Sequence, residues 1–191
     1  MQRLLRESFN RFLRDPVGEM LLTLLFLLGA MSGVFCGPAA LLYLWHHSPH
    51  RPPTSANAVI LQMQRLQSGR RLPAALGFGL SMWSLAWVPA LVSPVFGLPL
   101  WIFLVQPIWL MLVLADYFDL TFGVAFRTFF YFLVSYPKQA FLAMLLAFLG
   151  FAGMLLFGVG ILMTFPIFTR ALLTFLSQYP RQLAAAVQRA S

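Results

Sequence analysis

The chain has 191 residues, of which 60% are hydrophobic and only 9% are charged. Soluble domains carry about 25% charged residues, so this composition excludes an ordinary water-solvated surface and indicates a helical membrane protein. In a soluble protein the formal net charge of +8 would indicate a nucleic-acid binding partner. In a membrane protein it indicates the anionic cytoplasmic leaflet of the bilayer, and we expect no nucleic-acid partner.

Residues 2–14, QRLLRESFNRFLR, predict an amphipathic helix. At 100° per residue, Leu5, Phe9, Phe12 and Leu13 fall on one side, opposite most of the charged side chains. A basic helix of this kind lies in the membrane interface. The Asp-Pro dipeptide that follows is expected to end it.

The next apolar block, residues 20–45, is long enough to cross a bilayer once, but glycines and a proline lie near its middle. A single crossing would leave six basic residues on the outer side, against the positive-inside rule: Arg51, Arg65, Arg70, Arg71, Arg127 and Lys138. A reversal at residues 36–38 places nearly all basic residues on the cytoplasmic side instead. We therefore expect a hairpin over 20–45. A kinked span and a re-entrant loop stay open as alternatives, because the second arm is only about 15 Å long.

The later segments repeat the order of apolar helix, Gly/Pro turn, apolar helix and basic amphipathic segment. They are an amphipathic helix at 56–69, a second hairpin at 72–115, a Phe-rich interfacial helix at 119–135, a third hairpin at 139–177 and a basic tail at 178–191. Turns are expected at 93–94 and 158–160. The pattern predicts an all-α fold, a polytopic helical membrane bundle of about five to six membrane-embedded segments arranged as three hairpins, with cytoplasmic amphipathic helices.

The Phe-rich helix at 119–135 has two predicted faces. The apolar face comprises Phe122, Phe126, Phe129, Phe130 and Leu133, and the polar face comprises Arg127, Thr128, Tyr131 and Ser135. Asp119 is the expected N-cap, and a Tyr-Pro dipeptide is the expected stop.

Four stretches carry a resemblance to known proteins: GPAALLYL at 37–44, LQSGRRLPAALGFG at 66–79, DYFDLTFGVAFRTFFYFLVSYPKQAF at 116–141 and LLFGVGILMTFPIFTRAL at 155–172. With them the chain resembles a diffuse group of bacterial and archaeal multi-helix integral membrane proteins. It is also similar to the membrane domain attached to some glycerophosphodiester phosphodiesterases. The resemblance implies a topology and supplies no catalytic residues. Ala74 and Ala75 depart from it, since such proteins often carry an acidic residue there.

Asp116 and Asp119 are the carboxylates that lie beyond residue 19. Two acids near a membrane span could transfer protons, but at the end of a span a capping role is the simpler interpretation. Arg127 could pair with either aspartate.

Gln106 and Pro107 lie near the middle of an apolar block, where the proline is expected to break or kink the helix and shape a path or cavity. Trp83 and Trp87 share a helical face and could line a lipid, quinone or pigment site. Helix packing is the simpler role for all four residues. His46, His47 and His50 have spacing suited to a metal, but Pro49 interrupts it, so an interfacial polar cluster is favoured.

No nucleotide cradle, nucleophile–base pair or zinc motif is present in the sequence, so we expect no enzyme activity, catalytic residue, cofactor or metal. The leading hypothesis is an accessory, scaffold or assembly subunit of a membrane complex, with other membrane subunits or further copies of itself as partners. The expected location is a bacterial or archaeal cytoplasmic (inner) membrane, with both termini cytoplasmic. The alternative is a channel or transporter for a small solute or ion, with a path past Gln106, Ser81, Ser84, Thr164 and Arg170; snorkelling to the interface is the simpler role for Arg170.

Overall fold

The computed structural model describes residues 1–31, 36–48, 71–86, 94–153 and 160–190. Regular structure within these ranges is entirely helical, which confirms the all-α prediction for them. In chain order the helices are α1 (Gln2–Arg14), α2 (Pro16–Met31), α3 (Cys36–His47), α4 (Arg71–Ala86), α5 (Pro94–Phe118), α6 (Phe122–Ser135), α7 (Pro137–Ala152), α8 (Gly160–Leu176) and α9 (Pro180–Ala190). The helix predicted at 56–69 and the turn predicted at 93 lie outside these ranges.

Asp15 ends the first helix and begins the second. Its N–H donates to the carbonyl of Phe12 over 3.3 Å, and its carboxylate accepts a 2.9 Å hydrogen bond from the N–H of Gly18. Pro16 occupies the first position of α2, where a helix has no use for an N–H donor. The helix predicted at residues 2–14 is confirmed with the same bounds.

Helix α1 packs on the bundle through one flank of its apolar side. The buried residues are Leu4, Ser8 and Phe12, on the side that meets α8 and α2, while Phe9 and Leu13 are exposed. The buried positions follow four-residue spacing along one flank of the apolar side. Periodicity locates an apolar side but does not say which flank of it the bundle will cover.

Helices α2 and α3 lie side by side and run antiparallel. Glu19 meets His47, and one turn further along α2, Thr23 meets Tyr43. Residue numbers increase along α2 while those of the contacted residues on α3 decrease, so the two helices run in opposite directions. The predicted position of the reversal, residues 36–38, is wrong, since these residues form the first turn of α3, where a proline is tolerated.

Gly37 sets the distance between α3 and α4. A Cβ at this position would collide with the carbonyl of Ala75, and Ala75 is fully buried. The two backbones therefore meet without an intervening side chain, the arrangement that small residues permit between apolar helices.

Helices α7 and α8 form a second antiparallel pair, since Gly153 lies against Gly160 and Thr164 while Gly150 lies against Phe165 and Phe168. The hydroxyl of Thr164 donates to the carbonyl of Gly150 over 2.9 Å, and the rings of Phe151 and Phe165 lie 4.9 Å apart. Gly160, placed in the predicted turn, is the first residue of α8.

Aromatic rings from five helices fill the centre of the bundle. We call them the aromatic core: Phe26, Tyr43, Trp109, Phe151 and Phe165. The ring of Phe165 lies 5.2, 5.1, 5.1 and 4.9 Å from the other four, in that order. Tilted and offset contacts at such distances add to the hydrophobic burial of the rings. The core thus holds α2, α3, α5, α7 and α8 together.

One helix in the described ranges, Leu100–Phe118 within α5, is long and apolar enough to cross a membrane. A second candidate arises if α8 and α9 count as one span, but their axes differ by 80°. Pro16–Gly29, Phe122–Ser135 and Pro137–Ala152 are apolar and shorter.

Helix α6 corrects two expectations. It begins at Phe122 and Thr121 takes the N-cap position, while Asp119 has a positive φ of 54° and lies outside the helix. The predicted N-cap is therefore wrong, because the backbone at Asp119 turns before the helix starts. The predicted stop is confirmed, since α6 ends at Ser135 and Pro137 opens α7.

The faces of α6 also differ from those predicted. The buried residues are Ala125, Thr128, Phe129 and Phe132, whereas the exposed ones include Phe126, Arg127, Phe130, Tyr131 and Val134. Phenylalanines therefore occur on both sides of the helix. Most of the predicted basic tail, residues 178–191, forms α9, and this helix packs along α6.

Candidate functional site

The most concentrated polar chemistry in the described ranges is a group of buried side chains that we call the ion cluster: Glu19, His47 and Arg170. One carboxylate oxygen of Glu19 lies 2.6 Å from Nη2 of Arg170, and the other lies 2.8 Å from Nε2 of His47. All three residues are less than 8% exposed. The cluster joins α2, α3 and α8 at one end of the bundle.

Local structure explains how each residue reaches the cluster. Glu19 lies in the first turn of α2, where the helix dipole favours a negative charge. His47 ends α3, where the dipole favours a positive one. Arg170 lies four residues past Pro166 on the face of α8 that is turned inward.

His47 is held by acceptors on both sides of its ring. Nδ1 lies 2.9 Å from the carbonyl of Tyr43, and Nε2 faces Glu19. A neutral imidazole has one N–H, so both contacts are hydrogen bonds only if the ring is doubly protonated or Glu19 carries the second proton. The two contacts tie the ring of His47 both to its own helix and to α2.

Two further contacts surround the cluster. Thr23 donates to the carbonyl of Glu19 over 2.8 Å and lies 3.1 Å from the hydroxyl of Tyr43. His46 is exposed, and its Nε2 is 3.9 Å from Glu19, beyond hydrogen-bonding distance. Within the described ranges no three His, Cys, Asp or Glu side chains are placed to hold a metal ion. His50 lies outside those ranges.

Arg170 is not fully satisfied. Its Nε and Nη1 are buried and have no hydrogen-bond partner among the residues that the structure describes. A buried charge pair costs desolvation that is recovered only with good geometry and complete hydrogen bonding. The short contact to Glu19 therefore recovers only part of the cost of burying this guanidinium.

Asp116 joins α5 to α3. Its carboxylate accepts a 2.7 Å hydrogen bond from the indole N–H of Trp45, which is 1% exposed. Asp119 is exposed beyond the end of α5. Arg127 is exposed on α6, and no ion pair joins it to either aspartate in the described part of the chain. The pairing that the sequence allowed for Arg127 is therefore not found in the described part of the chain.

Gln106 is buried in α5, and its Nε2 has no partner among the described residues. Helix α5 nevertheless continues unbroken through Pro107, and α8 through Pro166. Neither proline therefore ends its helix, since each removes one hydrogen bond while the turns on either side persist. Trp83 lies in α4, but the structure describes only its backbone; Trp87 lies outside the described residues.

The ion cluster was not predicted as a site. The available signal is that Glu19 and Arg170 are charges within otherwise apolar helices, at ends that the hairpin topology places together. The prediction that Arg170 snorkels to the interface is wrong, because its side chain is buried and contacts Glu19 inside the bundle.

No protein-family model matches the chain, and neither do any curated proteins or solved structures.

Proposed function

We propose that the protein is a non-enzymatic subunit that serves as an accessory, scaffold or assembly factor of a membrane complex. It is a polytopic bundle of about five to six membrane-embedded segments arranged as three hairpins. Its location is a bacterial or archaeal cytoplasmic membrane, with both termini on the cytoplasmic side.

The exposed apolar face of α2 supports a membrane location. Its members recur at helical spacing and are between 42% and 66% exposed: Val17, Leu21, Leu24, Leu25 and Leu28. A contiguous apolar stripe of this length is unfavourable in water but ordinary against lipid or another membrane helix.

The distribution of polar residues supports the hairpin topology. Glu19 begins α2, His47 ends α3, Asp116 lies near the end of α5, and Arg170 lies in the second half of α8. Antiparallel hairpins bring all four to one end of the bundle, which is the cytoplasmic end by the positive-inside rule.

Helix length is compatible with that topology. Helices α2 and α7 have 16 residues each, about 24 Å of helix against a hydrocarbon core of roughly 30 Å. Local thinning of the bilayer accommodates short spans at fractions of a kcal/mol per Å.

The aromatic core is the single observation that carries the scaffold proposal over the transporter alternative. A path for a solute needs polar lining and room at mid-bilayer. The centre of this bundle instead holds five packed rings, and Phe165 alone contacts the other four. Packing of this kind suits a rigid body that presents its outer faces to partners.

Two measurements test the proposal. Carbonate washing should leave the protein in the membrane pellet. In a Cys36→Ala background, Ser48→Cys should react with an impermeant maleimide only after the cytoplasmic side is opened, and Val159→Cys from the outside. Extraction by carbonate, or outside labelling at position 48, would contradict the membrane and topology proposals respectively.

The subunit role is tested by purification in a mild uncharged detergent followed by mass measurement. We expect a complex of defined stoichiometry, either with another protein or between copies. Leu25→Asn, on the exposed stripe of α2, should weaken that complex. Phe141→Asn provides a matched control on another exposed helix. A monodisperse lone monomer would overturn the subunit proposal.

A further inference from the structure

A surface groove of about 610 Å³ runs between α6 and α9. It is lined by Phe126, Arg127, Phe130, Tyr131, Val134, Arg189 and Ala190. The three apolar positions of α6, Phe126, Phe130 and Val134, follow four-residue spacing and are 46%, 46% and 77% exposed. They form an apolar strip flanked by two arginines.

Both charged side chains among the described residues that line this groove are arginines. Neither α6 nor α9 contains an aspartate or glutamate, so neither helix supplies a counterion for Arg127 or Arg189. Arg189 donates a 3.3 Å hydrogen bond from Nη1 to the hydroxyl of Ser135, which holds it against the end of α6 and leaves its other donors available. Arg127 makes no ion pair or hydrogen bond within the described ranges.

The orientation of α9 places the groove at a particular depth. Its axis is turned 80° from that of α8, so if α8 crosses the bilayer, α9 lies nearly parallel to the membrane plane. The groove beside it then lies at the level of the lipid headgroups. Tyrosine and arginine are residues that membrane proteins place at this level.

We propose that this groove binds an anionic phospholipid. The phosphate is held by the guanidinium groups of Arg127 and Arg189, and the first part of the acyl chains lies along Phe126, Phe130 and Val134. Arginine suits a phosphate because its planar fork can donate two parallel hydrogen bonds. The inference rests on the proposed membrane location but not on the subunit role.

The apolar strip argues for a lipid rather than another anion. A nucleic acid or a free phosphate would find only two cations here and would leave three exposed apolar side chains uncovered. A phospholipid matches both halves of the groove, since it joins a phosphate to a hydrocarbon chain. Its net negative charge complements the two arginines.

Native mass spectrometry of the full-length protein in an uncharged maltoside detergent tests the inference. Phosphatidylglycerol and phosphatidylcholine with identical chains are titrated separately. We expect phosphatidylglycerol to bind more tightly. Arg127→Gln combined with Arg189→Gln should weaken its binding about thirtyfold, at roughly fivefold for each arginine near an anionic lipid.

Arg181→Gln is the matched control, because it removes the same charge from the exposed surface of α9 outside the groove lining. We expect an effect within about twofold. Phe130→Ser should weaken both lipids, whereas Phe130→Leu should restore them. Circular dichroism verifies that each variant is folded.

A loss of about fivefold for Arg181→Gln, the same as for each groove arginine, would overturn the inference, because the attraction would then be general rather than local. It would also be overturned if the double variant kept its lipid but lost self-association, since a second copy would then cover the groove. The carbonate wash separates the two proposals. If the protein stays in the membrane but its lipid binding does not depend on the groove residues, the lipid-site proposal fails and the membrane-location proposal stands.

Discussion

Glu19 and Arg170 are 151 residues apart in the sequence, and their carboxylate and guanidinium groups lie 2.6 Å apart inside the bundle. The contact connects the first apolar helix to the last, α2 to α8. It fixes α8 against α2 at the end of the bundle where α2 begins.

Breaking this pair from one side should destabilise the protein strongly. Glu19→Gln leaves the buried Arg170 without its counterion, and we expect the free energy of unfolding to fall by about 3–5 kcal/mol. Replacing both partners, Glu19→Met with Arg170→Met, should recover most of that loss. Denaturant titration in detergent micelles measures both effects.

A matched exposed pair is available as the control for that experiment. Arg3 and Glu7 on α1 lie 2.9 Å apart and are largely exposed. Their removal should change the free energy of unfolding by less than about 0.5 kcal/mol. If Glu19→Gln were equally mild, the ion cluster would have no structural role.

Neighbouring histidines should respond very differently to substitution. His47→Ala removes two buried contacts, to Glu19 and to the carbonyl of Tyr43, and should cost about 2–4 kcal/mol. His46→Ala removes an exposed ring without a hydrogen bond to Glu19 and should be nearly neutral. Thermal unfolding of the two variants decides the point, and equal losses would count against the assigned hydrogen bonds.

Because of the hydrogen bond between Trp45 and Asp116, substitutions of the two residues should lower the stability of the protein by different amounts. Trp45→Phe removes the donor, leaves the carboxylate without this partner and also removes packing volume, so it should cost about 2–3 kcal/mol. Asp116→Asn keeps an acceptor oxygen and should cost about half as much. A larger loss of stability for the asparagine variant would show that the negative charge at Asp116, rather than this hydrogen bond, stabilises the bundle.

Gln106 separates the scaffold proposal from transport. Its Nε2 is buried without a partner in the described residues, so Gln106→Leu should be neutral or raise the free energy of unfolding by about 1 kcal/mol. Reconstituted liposomes should show no solute or ion flux with either protein. Flux in the wild type that disappears in Gln106→Leu would establish the transporter alternative instead.

Local patterns predicted the helices well and their contacts poorly. The helix at 2–14 and the stop at the Tyr-Pro dipeptide follow from periodicity and from the chemistry of proline, which act within a few residues. The faces through which α1 and α6 pack could not be read from the sequence, since both helices carry apolar residues on more than one side and only the neighbouring helices decide which side is covered. Pro107 is another local signal: it predicts a break or kink, but α5 continues through it because the surrounding turns outweigh the local defect.

The ion cluster lay beyond sequence reasoning for a different reason. Nothing near Glu19 in the sequence signals that its partner lies in the final apolar helix. The charge pattern indicates which end of the bundle each group occupies, but the pairing depends on how α2, α3 and α8 are arranged around Phe165. That arrangement is a property of the whole core.

The same contact has a consequence for the order of events at the ribosome. Synthesis proceeds at about 5–20 residues per second, so the 151 residues between Glu19 and Arg170 take roughly 8–30 seconds to make. His47 follows Glu19 by 28 residues and emerges within about 1–6 seconds. The nascent first hairpin can therefore pair its acid with His47 long before α8 exists. A chain that stops before α8 therefore retains the contact between Glu19 and His47 and lacks the guanidinium that completes the ion cluster.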